Sequence, residues 1–215
     1  LDEMASIRHI FLTHTHLDHI ACLPLMVDSI FERIKEPVLI HAQPESIDAL
    51  KKHIFNWSIW PDFTSLPTAD NAVLGYEALK PGETYILGGR KIEMIPVNHI
   101  IPAVAYRVEC ESGSFAFSGD TTTNDSFWNA LNRHGTLDLL LVEAAFTNEE
   151  KELSIKARHY CPDLLAEDLK KLKHQPRIYL SHSKPGEEDT IYAECKAAIT
   201  DRELLCLSGN QVFQL

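Results

Sequence analysis

The chain has 215 residues, 45% of them hydrophobic and 24% charged, and a formal net charge of −11. That length can bury one substantial core and the composition shows no break, which excludes a disordered or fibrous chain and predicts a single domain over residues 1–215. The negative balance disfavours long contacts with a phosphate backbone, so nucleic acid is an unfavourable partner; a small anionic substrate, its charge met by bound cations, fits better.

In chain order, residues 7–13 are apolar and β-branched and predict a buried strand that delivers a His-rich loop. Residues 20–34 carry apolar side chains at helical spacing, and 37–42 predict a second strand. Pro44 stands where the first turn of a helix tolerates proline, ahead of Ile47, Leu50 and Ile54. Residues 73–79, 85–87, 91–97 and 104–111 predict an antiparallel meander with turns at Lys80-Pro81-Gly82, Gly88-Gly89 and Ser112-Gly113. Strands at 115–118, 137–142 and 177–181 then alternate with helices at 126–133, 162–172 and 188–198, which together suggest mixed sheets covered by helices.

No apolar run approaches the length of a membrane span, and no basic segment followed by an apolar one opens the chain, so no membrane partner is expected. The five cysteines, Cys22, Cys110, Cys161, Cys195 and Cys206, form no Cys-x-x-Cys pair and are odd in number, which fits a reducing cytoplasm. The first residue is Leu1 and the metal motif starts at position 14, so the natural protein is expected to extend further at its N-terminus.

The strongest chemical signal is His14-Thr15-His16-Leu17-Asp18-His19. In an extended loop, residues 14, 16 and 18 project to one side, and His19 at the start of a helix can turn to meet them. Imidazoles and a carboxylate in this density suit a borderline divalent metal, Zn²⁺ first and Mn²⁺ or Fe²⁺ as alternatives. The competing reading is a solvated His-rich loop. His99, Asp120 and His182 also lie just after predicted strands, where a rigid scaffold presents its functional groups.

At the 14–19 motif the sequence resembles the metallo-β-lactamase superfamily, whose hallmark His-x-His-x-Asp-His it matches without a gap. The resemblance implies the four-layer αββα sandwich, an α/β fold, with N-terminal strands missing from this chain. It further implies two metal ions, the first held by His14, His16 and His99, the second by Asp18, His19 and His182, with Asp120 bridging both. The text after His99, running through Pro102 to Tyr106-Arg107, resembles the phosphodiesterase branch, which includes tRNA 3′-processing endonucleases and class II cyclic-nucleotide phosphodiesterases. Ala105 stands where that branch usually has glycine, and Cys22 likewise.

Glu143-Ala144-Ala145-Phe146 and Arg158-His159-Tyr160-Cys161-Pro162 resemble two further elements of that branch, in which a Glu orients a His near the leaving group. A strand-end glutamate and a helix-capping histidine are the structural alternative. Taken together, residues 7–215 resemble class II cyclic-nucleotide phosphodiesterases most. That implies hydrolysis of a 3′,5′-cyclic nucleotide to the 5′-monophosphate by hydroxide held between two metals, with His159, Glu143 and Asp18 as catalytic residues. A tRNA 3′-processing endonuclease would need a basic surface that the composition does not offer, and a non-catalytic ligand-binding relative would have no need of every ligand.

Two features stay open on sequence alone. Residues 54–63 carry several aromatics, which could stack a purine, pack a core or form a homodimer contact. Lys184 could reach a phosphate oxygen or be solvated. His9, His41, His53, His134 and His174 read as surface or packing residues.

Overall fold

The computed structural model describes residues 1–215, which divide into two compact units, 1–80 and 81–215. The first opens with a short helix α1 (Asp2–Ala5) and builds a sheet from β1 (His9–Phe11), β2 (Val38–Ala42) and β3 (Leu74–Ala78), in the order β1-β2-β3 and parallel throughout. Parallel neighbours need crossovers, and helices supply them. Between β1 and β2 lie α2 (Leu17–Ile20), α3 (Cys22–Ile30) and a 3₁₀ turn, and between β2 and β3 lies α4 (Pro44–His53).

Pro44 occupies the first turn of α4, and Lys51, Lys52 and His53 close its last turn, where cations meet the negative end of the helix dipole. Val38, Ile40 and Ala42 of β2 are fully buried, and they share one core with Val27 of α3 and Ile47 and Leu50 of α4. The expected strand at 73–79 therefore forms, but it pairs parallel with β2 instead of opening the meander. The 31 residues between β2 and β3 allow that crossover, and the antiparallel run begins only after the turn at Pro81-Gly82.

The second unit is a seven-stranded mixed sheet in the order β10-β9-β8-β7-β6-β5-β4. β4 (Thr84–Leu87), β5 (Arg90–Pro96), β6 (Val104–Cys110) and β7 (Gly113–Phe117) form the antiparallel meander. Gly88 and Gly89, with φ of 54° and 78°, are the two-residue loop of the first hairpin, where both central residues need the left-handed region. β8 (Leu139–Glu143), β9 (Arg177–Ser181) and β10 (Leu204–Cys206) then add in parallel through α5 (Ser126–Leu131), α6 (Lys151–Ala157), α7 (Pro162–Leu169) and α8 (Glu188–Ala198). Phe127, Trp128 and Leu131 of α5, Leu165 and Leu169 of α7, and Ile191 and Cys195 of α8 bury against Leu140, Val142, Ile178 and Leu180. None of the chain's helices is long and apolar enough to cross a membrane.

The pairing pattern also sets strand direction. β5, β7, β8 and β9 all run the same way, because β5 and β7 are both antiparallel to β6 while β8 and β9 continue parallel to β7. Their C-terminal ends, and the loops that leave them, meet at one edge of the sheet. Side chains placed there sit on rigid supports, the common location of sites on sheets of this kind.

Leu140 of the central strand β8 is fully buried, whereas Ile86 is 62% exposed. Leu140→Ala is expected to lower the unfolding free energy by about 2–5 kcal/mol and Ile86→Ala by no more than about 0.5 kcal/mol, both read from urea denaturation midpoints.

Candidate metal centre and proton donor

In the first unit, Leu12 donates its N–H to the His41 carbonyl at 2.9 Å, so the chain stays tied to β2 until it enters the His-rich segment. His14 is fully buried. Its Nε2 lies 3.2 Å from His16 Nδ1, and its ring centroid is 4.1 Å from that of His19. Asp18 Oδ2 lies 3.4 Å from His19 Nε2. His16 caps α2, so Asp18 and His19 sit in its first and last turns; the extended loop expected over 14–18 ends at His16, and helical winding brings Asp18 beside His19.

In the second unit, the expected residues come off the common edge. His99 follows β5, Asp120 follows β7, Glu143 ends β8 and His182 follows β9. Gly119, with φ 57°, lets the backbone turn sharply into Asp120. Asp120 Oδ2 lies 3.3 Å from His182 Nε2 and 4.0 Å from His99 Nε2. On the other side of its ring, His99 Nδ1 meets the Arg158 carbonyl at 3.1 Å, and the Arg158 guanidinium donates back to the His99 carbonyl at 2.6 Å. A carbonyl can only accept, so Nδ1 carries the proton and Nε2 keeps its lone pair toward Asp120. That is how proteins fix the tautomer of a ligating imidazole.

His182 and Arg158 both hold positive φ, 61° and 55°, a conformation rare for residues other than glycine. Arg158 ends α6 in the left-handed region and so turns the chain into His159. His159 stacks on His182 with centroids 5.2 Å apart and stands edge-on to His99 at 5.0 Å.

His159 Nδ1 lies 2.8 Å from Glu143 Oε1. Glu143 is fully buried, and its carboxylate also accepts the backbone N–H of Thr121 at 2.7 Å and of Tyr160 at 3.1 Å. Burial pushes the Glu143 carboxyl up to about 7 against the opposing pull of His159 and the Thr121 N–H. His159 is displaced upward too: burial lowers it, but the hydrogen bond and charge of Glu143, with Asp120 beyond, outweigh that. Both groups are displaced upward, which favours protonation of the pair, and because Glu143 already accepts two backbone N–H groups it is His159 Nδ1–H that donates between them.

These donor sets fit a divalent metal. His14, His16, Asp18 and His19 in one unit, and His99, Asp120 and His182 in the other, offer imidazole nitrogens and carboxylate oxygens in close groups, from the buried His14, His99 and Asp120 to the exposed Asp18, the mixture that borderline cations prefer.

Residues 1–183 match the family described as Beta-lactamase superfamily domain. The chain belongs to that superfamily. It is similar to a probable 3′,5′-cyclic-nucleotide phosphodiesterase of Yersinia pestis, 29% identical over 207 residues, 84% of this chain and 58% of that protein. The 3′,5′-cyclic-nucleotide phosphodiesterase of Aliivibrio fischeri is 27% identical over 183 residues, 78% of this chain and 54% of its own length. The chain thus spans a little over half the length of these curated relatives. Among solved structures, unliganded yeast PDE1 superposes with a TM-score of 0.80 at 24% identity, over 94% of this chain and 66% of that one, which shows a shared fold.

Sequence reasoning missed Thr121, Asn124, Tyr160 and Asp168, which hold the loops of the second unit. For Asp168 a signal was present: Leu165, Asp168, Leu169 and Leu172 share one helical stripe, and an acid inside an apolar stripe needs partners. The aromatic segment divides. Phe55 and Phe63 are core residues at 2% exposure and Trp57 is 64% exposed. Phe63 also packs against Phe31.

An amide in place of the Glu143 carboxylate would point an N–H₂ at one of three donors. Glu143→Gln is expected to lower stability by about 1–3 kcal/mol in urea denaturation; an unchanged midpoint would show that this carboxylate does not anchor Thr121, Tyr160 and His159.

Proposed function

We propose that this chain is a phosphodiesterase domain that hydrolyses 3′,5′-cyclic nucleotides to 5′-monophosphates with two divalent metal ions, Zn²⁺ first among the candidates. The observation that carries the reading is the His159–Glu143 pair at 2.8 Å, stacked on His182 at the edge where Asp120 also stands. The names and sequences of the Yersinia pestis and Aliivibrio fischeri relatives support the substrate class.

In this reading His14, His16 and His99 would hold one ion and Asp18, His19 and His182 the other, with Asp120 as a ligand common to both. Bound ions would supply an activated water and offset charge on the phosphoryl oxygens. Glu143 keeps His159 Nδ1–H in a fixed hydrogen bond, so the Nε2–H of the imidazolium is the proton available to the leaving 3′-oxygen. When Nε2 gives up that proton, Nδ1–H remains bonded to Glu143 and the ring does not turn. The upward displacement of His159 by Glu143 favours the protonated donor form. The Lys184 ammonium rests 5.3 Å over the Phe146 ring, and that ring lies 5.8 Å from His159. It offers positive charge to a phosphodiester anion beside the donor.

A small cyclic phosphodiester suits a chain of net charge −11 better than a polyanionic RNA does. The odd number of cysteines supports a reducing, cytoplasmic setting.

Elemental analysis should find about two transition-metal ions per chain, and Asp120→Ala should lower metal content and turnover together, since two cations at short range repel without a shared carboxylate. His159→Ala should keep its metals. It should slow cyclic-nucleotide hydrolysis about a hundredfold, the scale of a lost general acid, and slow bis(p-nitrophenyl) phosphate far less, because p-nitrophenolate departs without a proton. Release of metal by His159→Ala, or equal slowing of both substrates, would overturn the donor role.

A further inference from the structure

Asp168 lies at the C-terminal end of α7 and is 2% exposed. Its Oδ2 accepts three hydrogen bonds: the Asn124 backbone N–H at 3.0 Å, the Trp128 Nε1–H at 3.0 Å and the Tyr160 hydroxyl at 2.7 Å. Lys171 Nζ meets Oδ1 at 2.9 Å. A buried carboxylate fully supplied with donors is a rigid node, since releasing any arm leaves a desolvated charge short of a partner.

Two of the arms lead toward the site. Tyr160 follows His159 directly, and its backbone N–H donates to Glu143 Oε2 at 3.1 Å. Its hydroxyl on Asp168 therefore fixes, from the far end of the side chain, the residue next to the proton donor. Asn124 lies in the loop that begins at Asp120, and its Nδ2 donates to Thr121 Oγ1 at 3.1 Å. Thr121 in turn donates its N–H to Glu143 Oε1 at 2.7 Å. The third arm, Trp128, leads into α5, and its indole also meets the Tyr160 side chain.

We propose that Asp168 is a positioning residue for the reaction, holding the loop that carries Asp120 and the loop that carries His159 in register on Glu143. The proposal rests on the proton-donor reading of His159 for its catalytic consequence, but its geometry can be tested without metal or substrate. Tyr160→Phe removes only the hydroxyl arm and keeps the ring. Ile191→Val, on α8 in the same core, removes none of the arms and serves as the control for global stability. Asp168→Asn keeps the shape but places an N–H₂ among the donors.

In metal-free protein, amide hydrogen exchange read by NMR should quicken about tenfold at position 160 in Tyr160→Phe, and at both 121 and 160 in Asp168→Asn. The His159 Nδ1–H resonance should shift in both variants. Ile191→Val should lower the melting temperature yet leave these three probes where they are. With metal restored, Tyr160→Phe should lose about tenfold on a cyclic nucleotide and much less on bis(p-nitrophenyl) phosphate, whereas Ile191→Val should keep wild-type rates on both.

If the three variants loosen positions 121 and 160 merely in proportion to their loss of global stability, Asp168 is a structural anchor and the proposal is overturned. His159→Ala assayed alongside separates the two readings. If it fails to discriminate between the leaving groups, the donor role falls, while the exchange and imidazole probes still decide whether Asp168 positions the loops.

Discussion

The fully buried carboxylate of Glu143 is the constraint on which the second unit's chemistry depends. It ends a central parallel strand, and its two oxygens collect the backbone of Thr121, the backbone of Tyr160 and the imidazole of His159. A desolvated carboxylate is tolerable only when such donors surround it, so the loops after β7 and α6 cannot move independently of β8. One group thereby fixes the neighbours of Asp120 and the orientation of His159.

The architecture explains why these groups meet. Five strands of the seven-stranded sheet share one direction, and His99, Asp120, Glu143 and His182 stand at or just beyond the C-terminal ends of β5, β7, β8 and β9 among them. The first unit follows the same plan on a smaller scale, with β1 leading into the His14 to His19 segment. Charge follows from placement: acidic and imidazole groups held close together call for cations, and bound cations would give a chain of net charge −11 a local attraction for an anionic substrate.

Much of this was legible in the sequence because ligand motifs and turn glycines are local signals. The strand over 177–181 and the helix over 188–198 form with the expected bounds, and Gly88-Gly89 makes the expected hairpin. Pairing partners are not local, which is why β3 was expected in the meander although it lies parallel to β2. The helix expected over 20–34 is divided into α3 and a 3₁₀ turn, preceded by the separate short α2 that begins at Leu17. The hub at Asp168 draws on residues from four separate segments, and only the oddity of an acid in an apolar stripe hinted at it. That these His and Asp residues stand just after strands reads well from the sequence; the hydrogen bonds that orient them depend on tertiary neighbours and do not.

The central claim, that this domain opens a 3′,5′-cyclic phosphodiester with a proton delivered to the 3′-oxygen, is tested most directly by following cyclic AMP and cyclic GMP in ¹⁸O-water by ³¹P NMR. The account predicts 5′-monophosphate as the product, with one ¹⁸O on phosphorus from the attacking water. Accumulation of the 3′-monophosphate, or cleavage of pre-tRNA with neither cyclic nucleotide turned over, would contradict it.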